Sequence, residues 1–322
     1  MAKRTISKGR RIGLIFSSIS LALFGLFFVS WSGASVYVFY RDGTYYHARS
    51  KFRPFLGSNE PFSPEGLAYD GERELLLMSG KMDDPRLPSR VYFQKGNRLS
   101  NYCSLFQNQT KPILSSLTGL ATSQDDLYVA YEGHIGCFDL SSAAQSKEAI
   151  ETKTFASSLS ACSLATDGIS LFVGECWKEG SSFSPHLRTN IDGKETHALG
   201  VAYSLSNGKA EAAFALPDNT HGFLRTSTGE VVISVRNNAW STEYQKYQIG
   251  EREADGVFVE QGENIPLYDL DSRSLISSFS GPSNGGDIEA LDDHILTFSA
   301  GDGPHRFRNA LMGYQSIDCL QL

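Results

Sequence analysis

The chain has 322 residues, 41% of them hydrophobic and 20% charged, which is long enough and apolar enough to bury a large core. Its formal charge of -7 includes no basic stripe that could displace counterions from phosphates, so no nucleic-acid partner is expected.

The one basic cluster is Lys3, Arg4, Lys8, Arg10 and Arg11, a tail over residues 1–11. Ile12 to Trp31 carries no charge, and as a helix it matches the ~30 Å of bilayer hydrocarbon. Trp31, Tyr37 and Tyr40 follow where an interfacial belt would lie. Residues 12–33 are therefore read as a signal-anchor transmembrane helix. A cleaved signal peptide, with Ser32-Gly33-Ala34 as its small-residue site, is the competing reading. Five basic residues precede the segment and four follow it (Arg41, Arg49, Lys51, Arg53), which favours a cytoplasmic N-terminus. All later residues would then lie on the periplasmic, extracellular or lumenal side, with residues 34–56 as linker. Met1 to Trp31 is expected to stay attached. N-terminal sequencing of the mature protein decides this, since a start near Ser35 would mean cleavage.

The five cysteines, Cys103, Cys137, Cys162, Cys176 and Cys319, show no CxxC pair and no zinc spacing. Cys162 and Cys176 could bridge in an oxidising compartment, but the expectation is scattered buried thiols. Asn108-Gln109-Thr110 is a glycosylation sequon, which matters only in a eukaryotic source.

Beyond residue 41 no long helical period occurs. Short apolar runs bounded by Gly, Asn, Asp and Ser dominate, as in all-β proteins. Five stretches share one frame: EGLAYDGERELLLMSG from Glu65, TGLATSQDDLYVAYEG from Thr118, CSLATDGISLFVGEC from Cys162, HGFLRTSTGEVVISVRN from His221 and GDIEALDDHILTFSAG from Gly286. Each reads as two strands and a polar turn. Two more strands follow the first four units: VYFQ and RLSNYCSLF, GCFDL and EAIETKTF, GVAYSL and KAEAAFAL, IPLYDL and SLISSF. Four antiparallel strands recurring every ~40–60 residues predict a β-propeller over residues 57–322. Five blades are counted, or six if a degenerate blade hides in the longer spacings. SVYVFY or TYYHARS, near residues 36–49, would complete the last unit and close the ring.

Four units carry extra length between their second and third strands, at residues 80–89, 176–198, 236–263 and 300–309. Such connections emerge on one face, and insertions confined to one face mark a binding surface. Its candidate partner- or ligand-binding residues are Asp83, Asp84, Trp177, His186, Trp240, Tyr244, His305 and Arg306. Aromatic and Arg residues suit such contacts.

The position before each innermost strand reads Glu65, Thr118, Cys162, His221 and Gly286, with Asp287 next. These positions should point toward the axis, so two carboxylates and an imidazole could converge there. Ser63-Pro64-Glu65-Gly66-Leu67-Ala68 resembles the first-blade motif of the calcium-dependent propeller hydrolases, the gluconolactonase, paraoxonase and strictosidine-synthase-like group. The resemblance implies that Glu65 binds an axial metal, Ca2+, with Asp287 as a second carboxylate among oxygen ligands from several blades. A lactonase or arylesterase built this way would polarise a carbonyl on the cation, and His221 is the in-frame candidate base. The chain departs from that group at Thr118 and Cys162, where the group places asparagines, and Asn219 lies two residues out of frame. The sequence contains no HExxH, P-loop or GxGxxG pattern. The expected function is a membrane-anchored, extracytoplasmic propeller that binds a protein or small-molecule partner through its loop face. A divalent-metal hydrolase with an axial site is the alternative.

Overall fold

The computed structural model describes residues 20, 22 and 23, and residues 62–321 except 83, 96–97, 158–160, 176–188, 192–193, 197, 218, 227, 239–240, 250–252, 261–262, 271–274, 283–286, 292–293 and 300–315. The first sheet holds β1 (Phe62–Asp70), β2 (Leu75–Met82), β3 (Arg90–Lys95), β4 (Arg98–Asn108) and the short β5 (Lys111–Pro112). The second holds β6 (Gly119–Ser123), β7 (Asp126–Tyr131) and β8 (His134–Asp139). Its chain then runs through α1 (Leu140–Gln145) and β9 (Glu148–Ile150) to its outer strand β10 (Lys153–Ser157). The third begins with β11 (Ala161–Thr166) and β12 (Ser170–Glu175). After a separate hairpin of β13 (Thr189–Ile191) and β14 (Lys194–Thr196) it continues with β15 (Ala198–Ser204) and β16 (Ala210–Leu216).

β17 (Thr220–Arg225), β18 (Val231–Asn238) and β19 (Ser241–Tyr247) open the fourth sheet. The chain next forms a hairpin of β20 (Glu253–Glu260) and β21 (Glu263–Asp269) before returning as the outer strand β22 (Leu275–Pro282). The last sheet is β23 (Ile288–Leu291), β24 (His294–Ser299) and β25 (Ser316–Gln321). Turn chemistry fits this meander. Glu132 and Gly133 both take positive φ (45° and 79°), which matches the right-handed strand twist of the tight β7–β8 hairpin.

The innermost strands β1, β6, β11, β17 and β23 stand side by side around one axis, and β23 meets β1 again. This is a β-propeller. Its apolar core lies between the blades. One cluster, including Leu77, Phe93, Leu120 and Phe138, joins the first two blades, and another, including Tyr128, Leu164, Val201 and Leu267, joins the second and third. A third, including Phe214, Phe223, Tyr244, Ile288 and Ile295, ties the third and fourth blades to the last sheet.

Among the described residues, four complete blades and a three-stranded last sheet stand where the sequence suggested five blades or six. The candidate closing strand at 36–49 lies outside the described residues. Nearly all of the 12–33 segment does too, and among the described residues no helix is long and apolar enough to cross a membrane.

Two connections correct the strand assignment. IPLYDL, expected as the third strand of the fourth blade, is β21, and it runs parallel to β16 on the outside of the third blade. The third strand is STEYQKY, β19, inside what looked like an insertion at 236–263. The second blade does the same on a smaller scale, since β9 runs parallel to β4 of the first. In both cases the chain between third and fourth strands reaches back and covers the preceding blade's outer edge. Covered edges cannot template pairing with another chain.

Candidate functional site

The position that varies through the repeat has a structural meaning. Register shifts fall between Pro64 and Gly66 on β1, Ala161 and Ser163 on β11, and Thr220 and Gly222 on β17. Glu65, Cys162 and His221 are therefore the extra residues of recurring β-bulges, which re-aim a side chain out of the ladder. Side chains at this position reach the next blade. Ser116 Oγ donates to Glu65, and Thr118 Oγ1 donates to the Ala161 carbonyl just before Cys162. Cys162 Sγ lies 3.9 Å from the Thr220 carbonyl just before His221. A carboxylate, a hydroxyl and a sulfur thus sit at successive blade junctions near the axis.

One residue further along each strand is small: Gly66, Gly119, Ser163 and Gly222. The fifth is Asp287, which is wholly buried. Its Oδ2 accepts the Leu67 and Leu120 amides at 3.1 Å each, and its Oδ1 accepts the Leu164 amide at 3.2 Å. Ser163 also hydrogen-bonds the carboxyl, and its Oγ accepts the Phe223 amide at 3.1 Å. One carboxyl thereby binds three blades directly and a fourth through Ser163. The inner edge of an innermost strand has no further strand to pair with, and Asp287 satisfies the amides that face the axis.

The glycines are required by this closeness. A Cβ on Gly119 would lie 2.7 Å from Leu164 N, the same amide that donates to Asp287. A Cβ on Gly66 would come within 3.1 Å of the Gly119 backbone and closer still to Ser79 Oγ. The axis is packed at this level.

The sequence reading missed Glu289. It is buried two residues beyond Asp287 on β23, and it accepts the Ala290 amide at 3.0 Å and the Tyr69 amide of β1. The alternation Asp287, Glu289 on an inner strand was its available signal. Burial pushes the Asp287 carboxyl well above its ordinary value, and its amide and hydroxyl donors pull it back only in part. Glu289 is likewise raised by burial and then by the charge of Asp287.

The other sequence candidates are spread out. Asp84 pairs with Arg86 at 3.0 Å within an exposed turn, and this holds its carboxyl below the usual range. Tyr244 is not on a loop. It lies in β19, wholly buried, and its hydroxyl donates to Thr297 Oγ1 at 3.1 Å. Asp83, Trp177, His186, Trp240, His305 and Arg306 lie outside the described residues. Glu65 and Asp287 have separate partners, Ser116 for one and the axial amides for the other. Among the described residues no three His, Cys, Asp or Glu side chains are grouped to hold a metal. Cys162 is disulfide-bonded, against the expectation of scattered thiols. Cys103 and Cys137 are free and buried, and burial pushes their thiols up to about 12 and about 11, away from reactivity.

No protein-family model and no curated protein matches the sequence. Among solved structures the chain is similar to the PQQ-bound aldose sugar dehydrogenase of Streptomyces coelicolor, at 12% identity and a TM-score of 0.46, over 86% of this chain and 98% of that one. It is similar to BamB of Moraxella catarrhalis at 10% identity and a TM-score of 0.35, over 80% and 86% of the two chains. A third similarity is to Kuenenia stuttgartiensis hydrazine synthase, at 8% identity and a TM-score of 0.39, over 76% of this chain but only 58% of that one. What those proteins bind or catalyse does not carry over at such identities.

Proposed function

We propose that this chain is a membrane-anchored, extracytoplasmic β-propeller that binds a protein or small-molecule partner through the face carrying its second-to-third-strand connections. The observation that carries this reading is the packed axis. Asp287, the second carboxylate of the metal-site alternative, has both oxygens engaged by backbone amides, beside glycines whose Cβ positions are already occupied. Recognition is then the work of the long connections, which include residues 83–89 between β2 and β3 and the β13–β14 hairpin between β12 and β15. The disulfide at Cys162 suits an oxidising compartment, which agrees with an anchor over residues 12–33 and a cytoplasmic N-terminus.

Detergent-extracted full-length protein carrying Trp177→Ala, Trp240→Ala or Arg306→Ala should lose up to ~2 kcal/mol of partner binding at unchanged melting temperature. Glu65→Gln should leave binding intact. The opposite pattern, with stoichiometric calcium that Glu65→Gln removes together with turnover of a lactone or aryl ester, would place the function at the axis with Glu65, Asp287 and His221.

A further inference from the structure

We propose that β22, the outer strand of the fourth blade, is a self-association edge at which a second copy of this chain adds its own β22 as an antiparallel strand. The other outer edges are closed in two ways. β9 covers β4 of the first blade, and β21 covers β16 of the third. Outside β21 lies β20, which carries Glu253, Asp255 and Glu260. The second blade ends in β10, which begins with Lys153, and the last sheet ends in β25, which carries Asp318. Covering strands and edge charges both keep a sheet from pairing with another chain.

β22 has neither. Among the described residues only β19 pairs with it, and its sequence, LISSFSGP, holds no charge over eight residues. At its start the register slips between Leu275 and Ser277, so Ile276 is the extra residue of a bulge. Leu275 and Ile276 are 37% and 47% exposed, two large apolar side chains in succession on this rim. Over residues 277–282 the register with β19 is unbroken, which leaves a regular run of backbone N–H and C=O groups on the outer side.

Charge decides the occupant. The chain carries a formal charge of -7, so two copies repel over much of their surface. At β22 they can meet without that repulsion. The charged neighbours on β19 are already paired within the blade: Lys246 with Glu230 at 2.8 Å, and Glu243 with the Ser278 hydroxyl and the Gln245 amide. Antiparallel pairing about a twofold axis sets the same uncharged strand against itself, so no like charges stand opposite across the ladder. Strands run between the two faces of the ring, so this pairing points the two loop faces in opposite directions and leaves both uncovered. Partner binding at the loop face and self-association at β22 are therefore separate.

The test is sedimentation equilibrium of the full-length chain in mild detergent, from about 1 to about 100 μM, beside Ser277→Lys. One strand pair buries less than the roughly 1,200–2,000 Å2 of a standard interface, so a dissociation constant of about 10 μM is expected. The substitution puts two like charges near the twofold axis. Wild type should pass from monomer to dimer over that range. Ser277→Lys should stay monomeric, with a melting temperature within about 2 °C of wild type. If Ser277→Lys fails to fold, wild-type hydrogen exchange at the two concentrations serves instead. Alternate amides of residues 277–281 should gain several-fold protection at the higher concentration, while the Val129 amide of β7 does not change. A wild type that stays monomeric to about 100 μM, a dimer that Ser277→Lys leaves intact, or exchange independent of concentration would overturn the proposal. So would a co-purifying protein that Ser277→Lys releases, since the edge would then belong to a different chain.

Discussion

Replacing Asp287 with Ala should destabilise the ring by about 3 kcal/mol or more, the largest effect expected from any single side chain near the axis. The substitution strands the Leu67, Leu120 and Leu164 amides in a space that is fully buried. Each buried donor without an acceptor costs about 1–3 kcal/mol. Relief of the carboxyl's own burial offsets part of that sum, which is why the lower end is expected. Against a typical total stability of about 5–15 kcal/mol the loss is a large fraction.

Asp287→Asn separates this hub from a metal ligand. Both Asp287 oxygens accept amides, so in either orientation the Asn NH2 group faces at least one backbone N–H. Asn is thus expected to be destabilising as well, by about 1–3 kcal/mol, with no metal added or removed. Urea unfolding with and without a chelator reads both quantities. A wild-type midpoint that falls on chelation, with Asp287→Asn already at the lower value, would assign the carboxyl to a metal instead.

The propeller was legible because its repeat is written in strand pattern and turn chemistry, and both are local. LFVGEC and VVISVRN are apolar runs between polar turns, and they became β12 and β18 largely as read. Which strand follows was not legible. STEYQKY and IPLYDL can both form strands. Their assignment to the fourth blade or to the outside of the third depends on which edge each finds, Val231–Val235 for one and Ala213–Ala215 for the other.

At the axis, the sequence showed variety at Glu65, Cys162 and His221 and suggested chemistry there. The bulges supply another reason for that variety, since a residue outside the ladder faces fewer packing demands. The informative signal stood one residue later. Gly66 and Gly119 are small because the neighbouring strands crowd them, Ser79 and Leu120 at one and Leu164 at the other.

Tyr244 shows the same lesson in energetic terms. A tyrosine on a contact loop, once cut to Ala, would weaken binding and leave folding alone. Here the ring is wholly buried between the fourth blade and the last sheet, near Ile288 and Ile295 in the same cluster. Tyr244→Ala should therefore cost about 3–5 kcal/mol, the range for emptying an aromatic site in a core. Tyr244→Phe keeps the packing but removes the donor to Thr297 Oγ1, itself buried, and should cost only about 1 kcal/mol. Urea midpoints measured at constant slope give both numbers. Near-equal losses would make the hydrogen bond, rather than the ring, the main tie. If Ala leaves the midpoint unchanged, Tyr244 is not part of this core. The expected ratio of roughly three or more says that the last sheet is held to the fourth blade chiefly by apolar packing. Its hold on the first blade differs in kind, because there two buried carboxyls grip backbone amides.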